Sequence, residues 1–206
     1  MANANADHPL ITEDTDVLGR GRSQVQLHGE RARDDGARAS EAAVVLGHGL
    51  TPQADFQVEM PLSGGDASVA LKWRFFERQS VSLVLKPDID ERGRWGAHFV
   101  AGFALGRVEL LGHVGYLRNR DSPGERRSLW HASLAALYEV TEDLKLALDM
   151  ARDTNPDPGS HASIRELVVG MLYALSADAD LGLGLKKGLS DTADDRALLA
   201  GLKYRW

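Results

Sequence analysis

The chain has 206 residues, no cysteine and a formal net charge of −6, with 24 Lys and Arg against 30 Asp and Glu. Without cysteine neither a disulfide framework nor a thiolate metal site is possible, and cations dispersed under a net negative charge leave no footprint for nucleic acid. No stretch approaches the ~18 uninterrupted apolar residues of a transmembrane helix, but a barrel strand needs only ~9–11 alternating residues. The 26% of charged residues therefore does not exclude a membrane protein.

The opening Met1–Leu10 has neither a charged n-region nor an apolar h-region, and reads as an added start residue before an N-terminus already freed of its signal peptide. Residues 1–21 are expected to form a periplasmic N-terminal segment, either ordered against the lumen or mobile. From Arg22 onward the dominant pattern is period-2 alternation broken by turn residues, which predicts a barrel over 22–206.

Val69, Leu71, Trp73 and Phe75 alternate with Lys72 and Arg74. Trp95, Ala97, Phe99, Ala101, Phe103 and Leu105 alternate with Gly96, His98 and Gly102. Trp130, Ala132, Leu134, Ala136, Tyr138 and Val140 oppose His131, Ser133, Ala135, Leu137 and Glu139. Similar stretches run through Val108 to Tyr116, Leu144 to Met150, Leu167 to Leu175 and Leu181 to Leu185. The last sets Leu198, Ala200, Leu202, Tyr204 and Trp206 against Gly201, Lys203 and Arg205.

Connections alternate in length. Short ones fall near Thr51-Pro52-Gln53, Glu77-Arg78, Leu105-Gly106, Thr141-Glu142 and Ala177-Asp178; longer ones are Ala32–Ala39, Ser63–Asp66, Pro87–Arg94, Arg118–Arg127, Asp153–Ala162 and Ser190–Asp195. Tight periplasmic turns, longer outer loops and an even strand number with both termini periplasmic are the plan of outer-membrane barrels. The reading is all-β: a transmembrane antiparallel up-and-down β-barrel of about twelve strands in the bacterial outer membrane. Trp73, Trp95, Trp130, Tyr138, Tyr204 and Trp206 are its interfacial aromatic anchors. A soluble sandwich or lipocalin-like barrel also alternates, but its apolar side faces a core; aromatics at the ends of the apolar faces favour the membrane.

With the apolar faces toward lipid, the opposite residues line the lumen. Lys72, Arg74, Glu109, Lys145, Lys203 and Arg205 are the candidate lumen charges, either defining a narrow aqueous path or pairing across the interior. His98, His113 and His131 fall inward on three consecutive strands, and a turn at Leu105-Gly106 sets His98 directly opposite His113. Imidazoles at one height bind metals or titrate near neutral pH, so a metal site or proton-linked gate stands beside three separate hydrogen-bonding residues.

Ser133 shares a face with His131, but ~7 Å along a strand is too far for a direct Ser–His hydrogen bond, and no G-x-S-x-G elbow is present. No enzymatic activity and no cofactor are expected. Asp153-Thr154-Asn155-Pro156-Asp157 and Asp191 to Asp195 lack the glycine and glutamate spacing of an EF-hand and read as solvated acidic loops beside lipopolysaccharide.

His8-Pro9-Leu10-Ile11-Thr12-Glu13-Asp14-Thr15-Asp16 followed by Gly19-Arg20-Gly21, together with the terminal Gly201-Leu202-Lys203-Tyr204-Arg205-Trp206, resembles the outer-membrane transporter-like family named after meta-pathway phenol degradation. The resemblance implies a channel or uptake barrel for small, hydrophobic or aromatic molecules and defines no catalytic residues. Its implied partners are outer-membrane lipid and lipopolysaccharide, the barrel-assembly machinery, for which the terminal aromatic resembles the recognition signal, and a small-molecule solute. A non-conducting structural barrel and an outer-membrane enzyme acting on lipids are the alternatives.

Overall fold

The computed structural model describes residues 8–34, 37–119 and 124–206. Its twelve strands are β1 (Ser23–Asp34), β2 (Ala37–Thr51), β3 (Ala54–Pro61), β4 (Ser68–Arg78), β5 (Val81–Asp90), β6 (Trp95–Leu105), β7 (Val108–Arg118), β8 (Ser128–Glu139), β9 (Leu144–Asp153), β10 (Ile164–Ala174), β11 (Ala179–Gly188) and β12 (Arg196–Arg205). Each pairs antiparallel with its chain neighbours, and β1 closes on β12 from Gln24↔Arg205 to Arg33↔Arg196. Closure leaves no unpaired edge, which a sheet in hydrocarbon cannot tolerate. In β12 burial alternates residue by residue, so a one-residue slip would turn Lys203 and Arg205 into lipid.

The outward face is apolar in the middle and aromatic at its ends. Trp73, Trp95, Trp130, Tyr138, Tyr204 and Trp206 are all exposed. Trp95, Tyr116 and Trp130 touch in series on the long-loop side, with ring centroids 5.7 and 4.9 Å apart. Tyr204 and Trp206 stack on the short-turn side. Two such aromatic bands are the arrangement that a membrane-spanning barrel presents at its interfaces. The termini of the barrel meet at the short-turn end, where Ser23 N donates to Trp206 O at 2.9 Å and Trp206 N to Ser23 O at 3.0 Å.

Two expected loops are strand instead. Pairing of β1 with β2 continues to Asp34↔Ala37, across most of the expected connection Ala32–Ala39; residues 35–36 lie outside the described residues, as do 120–123 of the Arg118–Arg127 connection. β5 extends to Asp90. The alternation persists there, but its outward members are Arg31, Arg33 and Arg38, cations where an apolar residue would have marked a strand. A bulge between Arg74 and Phe76 in β4 puts both Phe75 and Phe76 outside.

The lumen is not empty. The N-terminal segment turns in at Gly19–Gly21, where Gly21 N donates to Gly49 O at 2.8 Å, and runs inside the barrel back to His8. Where its backbone comes closest to the wall, several wall positions are glycine. A Cβ on Gly49 would overlap the carbonyl of Gly19, one on Gly182 that of His8, and one on Gly102 would lie 2.8 Å from Thr15 Oγ1. Leu10 packs with Leu111, Ala135, Leu137, Ala147, Leu172 and Ala174, so the interior of β7–β10 holds an apolar core among its charges where the sequence suggested a polar lumen.

Candidate transport path

Strand β9 supplies the chief anchor of the inner segment. Asp149 is fully buried and accepts from Ile11 N at 2.7 Å, Thr12 N at 2.8 Å and Thr12 Oγ1 at 2.7 Å. Asp55 on β3 accepts from Leu18 N at 3.1 Å. An irregular chain inside a barrel has no ladder for its N–H groups, so carboxylates of the wall take them. The reverse pairing holds it from the other side: Lys72 on β4 binds Asp14, both side chains 4% exposed, and Lys86 on β5 binds Glu13. Burial opposes ionisation of Glu13, but the Lys86 and Lys72 ammonium groups outweigh it and hold the carboxyl well below the usual carboxylate range.

The other lumen charges pair among themselves. Glu109 and Lys145 are 3.2 Å apart, Arg205 and Asp180 2.5 Å, and Arg74 and Glu77 3.1 Å. Lys186 sits between Glu30 at 2.6 Å and Glu166 at 3.2 Å. Lys203 is buried on the same inward face. Five of the six candidate charges thus have a named partner of opposite sign. They compensate one another rather than standing as free charges along a pore.

The three histidines do come together, in a register different from the expected one. The β6–β7 turn pairs Leu105 with Val108, which sets His98 opposite Gly115 and His113 opposite Val100; His131 also pairs with Gly115, from the β8 side. Gly115 is the vacancy that lets them meet, since a Cβ there would lie 2.7 Å from His98 Nδ1 and 3.3 Å from His131 Cβ. His98 Nδ1 and His113 Nε2 share a 2.8 Å hydrogen bond, and the rings of His113 and His131 are 4.5 Å apart. His98 Nε2 lies 3.2 Å from Asp88. Among the described residues no set of three or more His, Asp or Glu side chains is arranged to hold a metal ion.

Ser133 and His131 are also closer than their spacing along β8 implies. His131 Nε2 is 2.9 Å from Ser133 Oγ, and Nδ1 is 2.7 Å from Asp153 Oδ1. The ~7 Å between positions two apart is a backbone distance, and the imidazole leans along the strand to cover it. Thr12 Oγ1 lies 2.8 Å from Ser133 Oγ and gives its proton to the Asp149 carboxylate, so Ser133 donates either to Thr12 or to His131. The result is a chain of contacts from Asp153 near the outer rim through His131, Ser133 and Thr12 to Asp149. Thr12 sits against the serine hydroxyl that a hydrolase would need open.

Between the segment and the wall of β1–β6 remains a cavity of about 340 Å³. Ile11, Thr12 and Glu13 form one side; Gln24, Gln57, Glu59, Lys86 and His98 are on the other. His8 stacks on His28 at one end, with ring centroids 5.1 Å apart. The residues that sequence reasoning missed are Thr12, Glu13, Asp14, Asp55 and the role of Asp149. Two signals were present: acidic residues in a short segment ahead of a barrel whose inward face offers Lys72 and Lys86, and glycines at inward positions, where a backbone approaches closely.

The fold matches solved outer-membrane proteins at low identity. The KdgM porin aligns at TM-score 0.67 and 6% identity, over 88% of this chain and 98% of that one. An outer membrane channel from Pseudomonas putida F1 aligns at 0.62 and 15%, over 93% and 98%. The CymD monoaromatic hydrocarbon channel aligns at 0.55 and 10%, over 90% and 88%. No curated protein matches the sequence. Residues 6–206 match the family described as "Putative MetA-pathway of phenol degradation", and the chain, a closed twelve-stranded barrel of the outer-membrane channel fold, belongs to that family.

Proposed function

We propose that this protein is a non-enzymatic outer-membrane channel for small molecules, with a bore set by its own N-terminal segment. The observation that carries the reading is the 340 Å³ cavity between segment and wall. That volume is at the low end of ligand-sized sites and exceeds the ~150 Å³ of a cavity that binds benzene. It therefore admits a single-ring solute and excludes a folded partner or an oligosaccharide. Its polar lining suits a ring bearing a carboxylate or hydroxyl. An aromatic solute is further supported by the family's association with phenol degradation and by the CymD hydrocarbon channel of the same fold. In this reading Lys72 shapes the path by locking the segment to the wall, Arg74, Glu109, Lys145 and Arg205 by pairing within the wall, and Lys203 as a buried charge beside them, while His98, His113 and His131 gate its outer half as a cluster of contacting rings.

The test is swelling of vesicles that contain the folded protein, in benzoate and in sucrose, alongside single-channel recording. Benzoate permeation above protein-free vesicles with sucrose retained is expected. Equal exclusion of both by verified folded protein would overturn the reading in favour of a structural barrel.

A further inference from the structure

The outer wall carries a feature that conduction does not require. On the lipid-facing side of the long-loop end, Arg38 of β2 pairs with Arg33 of β1, Arg33 with Arg196 of β12, and Arg196 with Lys187 of β11. All four side chains are exposed. Arg31, also exposed, sits one outward position below, opposite Leu198, which pairs with Leu185. Leu185 and Leu198 are 62% and 60% exposed. Cations above and leucines below line one surface groove of about 740 Å³. The next strands continue the pattern, with Arg165 of β10 directly opposite Arg152 of β9.

Like charges directly opposite one another weaken a sheet, and here none of the five exposed cations Arg31, Arg33, Arg38, Lys187 and Arg196 forms an ion pair with a described residue, whereas Lys186, which also lines the groove, turns to Glu30 and Glu166. Elsewhere on the long-loop side the outward face carries the contacting aromatics Trp95, Tyr116 and Trp130. Such a row lowers its own repulsion by holding anions, and a fork of guanidinium donors matches phosphate oxygens. Strands ~4.8 Å apart place the end cations of a four-strand row ~14 Å from each other. One phospholipid phosphate cannot span that row, whereas a disaccharide phosphorylated at both ends reaches along it, with acyl chains falling onto Leu185 and Leu198.

We propose that this groove is a binding site for the bisphosphorylated glycolipid of the outer leaflet, the lipid A part of lipopolysaccharide. The proposal rests on the orientation with long loops outward, and not on conduction.

The test is native mass spectrometry of the folded full chain in detergent, with bisphosphorylated lipid A, its dephosphorylated form, phosphatidylglycerol and inorganic phosphate as probes. One lipid A per barrel is expected, with at least tenfold weaker retention in Arg33→Ala/Arg196→Ala and in Arg38→Gln/Lys187→Gln, both with the parent's conductance. Retention of dephosphorylated lipid A or phosphatidylglycerol as firmly as lipid A would overturn the site, as would unchanged retention in a folded variant. So would displacement of lipid A by millimolar inorganic phosphate, which would assign the row to a free anion. The comparison of lipid A with its dephosphorylated form needs only the parent protein, and therefore decides even if a variant fails to fold. Loss of benzoate permeation with lipid A binding intact would remove the channel reading alone.

Discussion

Replacing Asp149 with Ala removes three hydrogen bonds that a buried carboxylate accepts from Ile11 N, Thr12 N and Thr12 Oγ1. Hydrogen bonds to a charged group contribute ~1.5–3 kcal/mol each. Because the three share one acceptor they do not add fully, and we take ~4 kcal/mol for the set. At ~1.4 kcal/mol per factor of ten, the population with Ile11 and Thr12 released from the wall rises ~1,000-fold. The ion pairs Lys72–Asp14 and Lys86–Glu13 and the Leu18–Asp55 bond remain, so the segment loosens at its middle while its root stays attached. The barrel's inter-strand ladders are untouched, and heat-modifiable gel migration should match the parent. Hydrogen exchange at the Ile11 and Thr12 amides should accelerate by about that factor, and single-channel recordings should show longer open dwell times. Parent-like exchange and dwell times in folded Asp149→Ala would refute Asp149 as the anchor.

Gly182→Val places a side chain where the His8 carbonyl lies; it should expel the end of the segment and raise mean conductance, read in planar bilayers, while the barrel still folds. Glu13 titrates below the ordinary carboxylate value when docked. Its contribution to docking is therefore complete above that ordinary value and is lost only as pH falls through the lower docked one. Segment amide protection should survive at pH ~4 in the parent, while in Lys86→Met the loss moves up toward the ordinary range. Gly115→Val fills the notch between His98 and His131 and should break the His98–His113 hydrogen bond, seen as loss of its downfield imidazole NH signal; persistence of that signal would refute the role of Gly115. Trp130→Ala deletes an exposed aromatic in contact with Tyr116 and, if Trp130 anchors the barrel at the interface, should lower stability in lipid vesicles by ~1–2 kcal/mol, measured by urea unfolding.

Strand number, facing and closure were legible in the sequence because period-2 alternation is a local property. Lys203, Arg205 and His131 could be assigned to the lumen by parity alone. Contacts set by long side chains or by distant partners were not legible in the same way. Ser133 and His131 looked too far apart because the spacing was counted along the backbone. The histidines met despite a register two residues from the expected one, because Gly115 faces both His98 and His131 and leaves their rings room. The destination of residues 8–18 was hidden for a different reason: an irregular segment has no period, and its anchors Asp55, Lys72, Lys86 and Asp149 lie on four strands spread through the chain. The charged end of the β1–β2 hairpin has the sequence pattern of a loop because a strand clear of the hydrocarbon no longer carries apolar outward residues.

The inner segment also has a mechanical consequence. With Leu18 held by Asp55 on β3 and Ile11 and Thr12 held by Asp149 on β9, six strands away around the closed order, it touches opposite walls of the barrel, bracing the cylinder as a spoke braces a rim. A hollow twelve-stranded tube can flatten under the lateral pressure of its bilayer by small changes in strand twist. This one resists flattening in proportion to how firmly residues 8–18 are seated, so release of the segment would change the outline that the protein presents to neighbouring lipids as well as the space inside it.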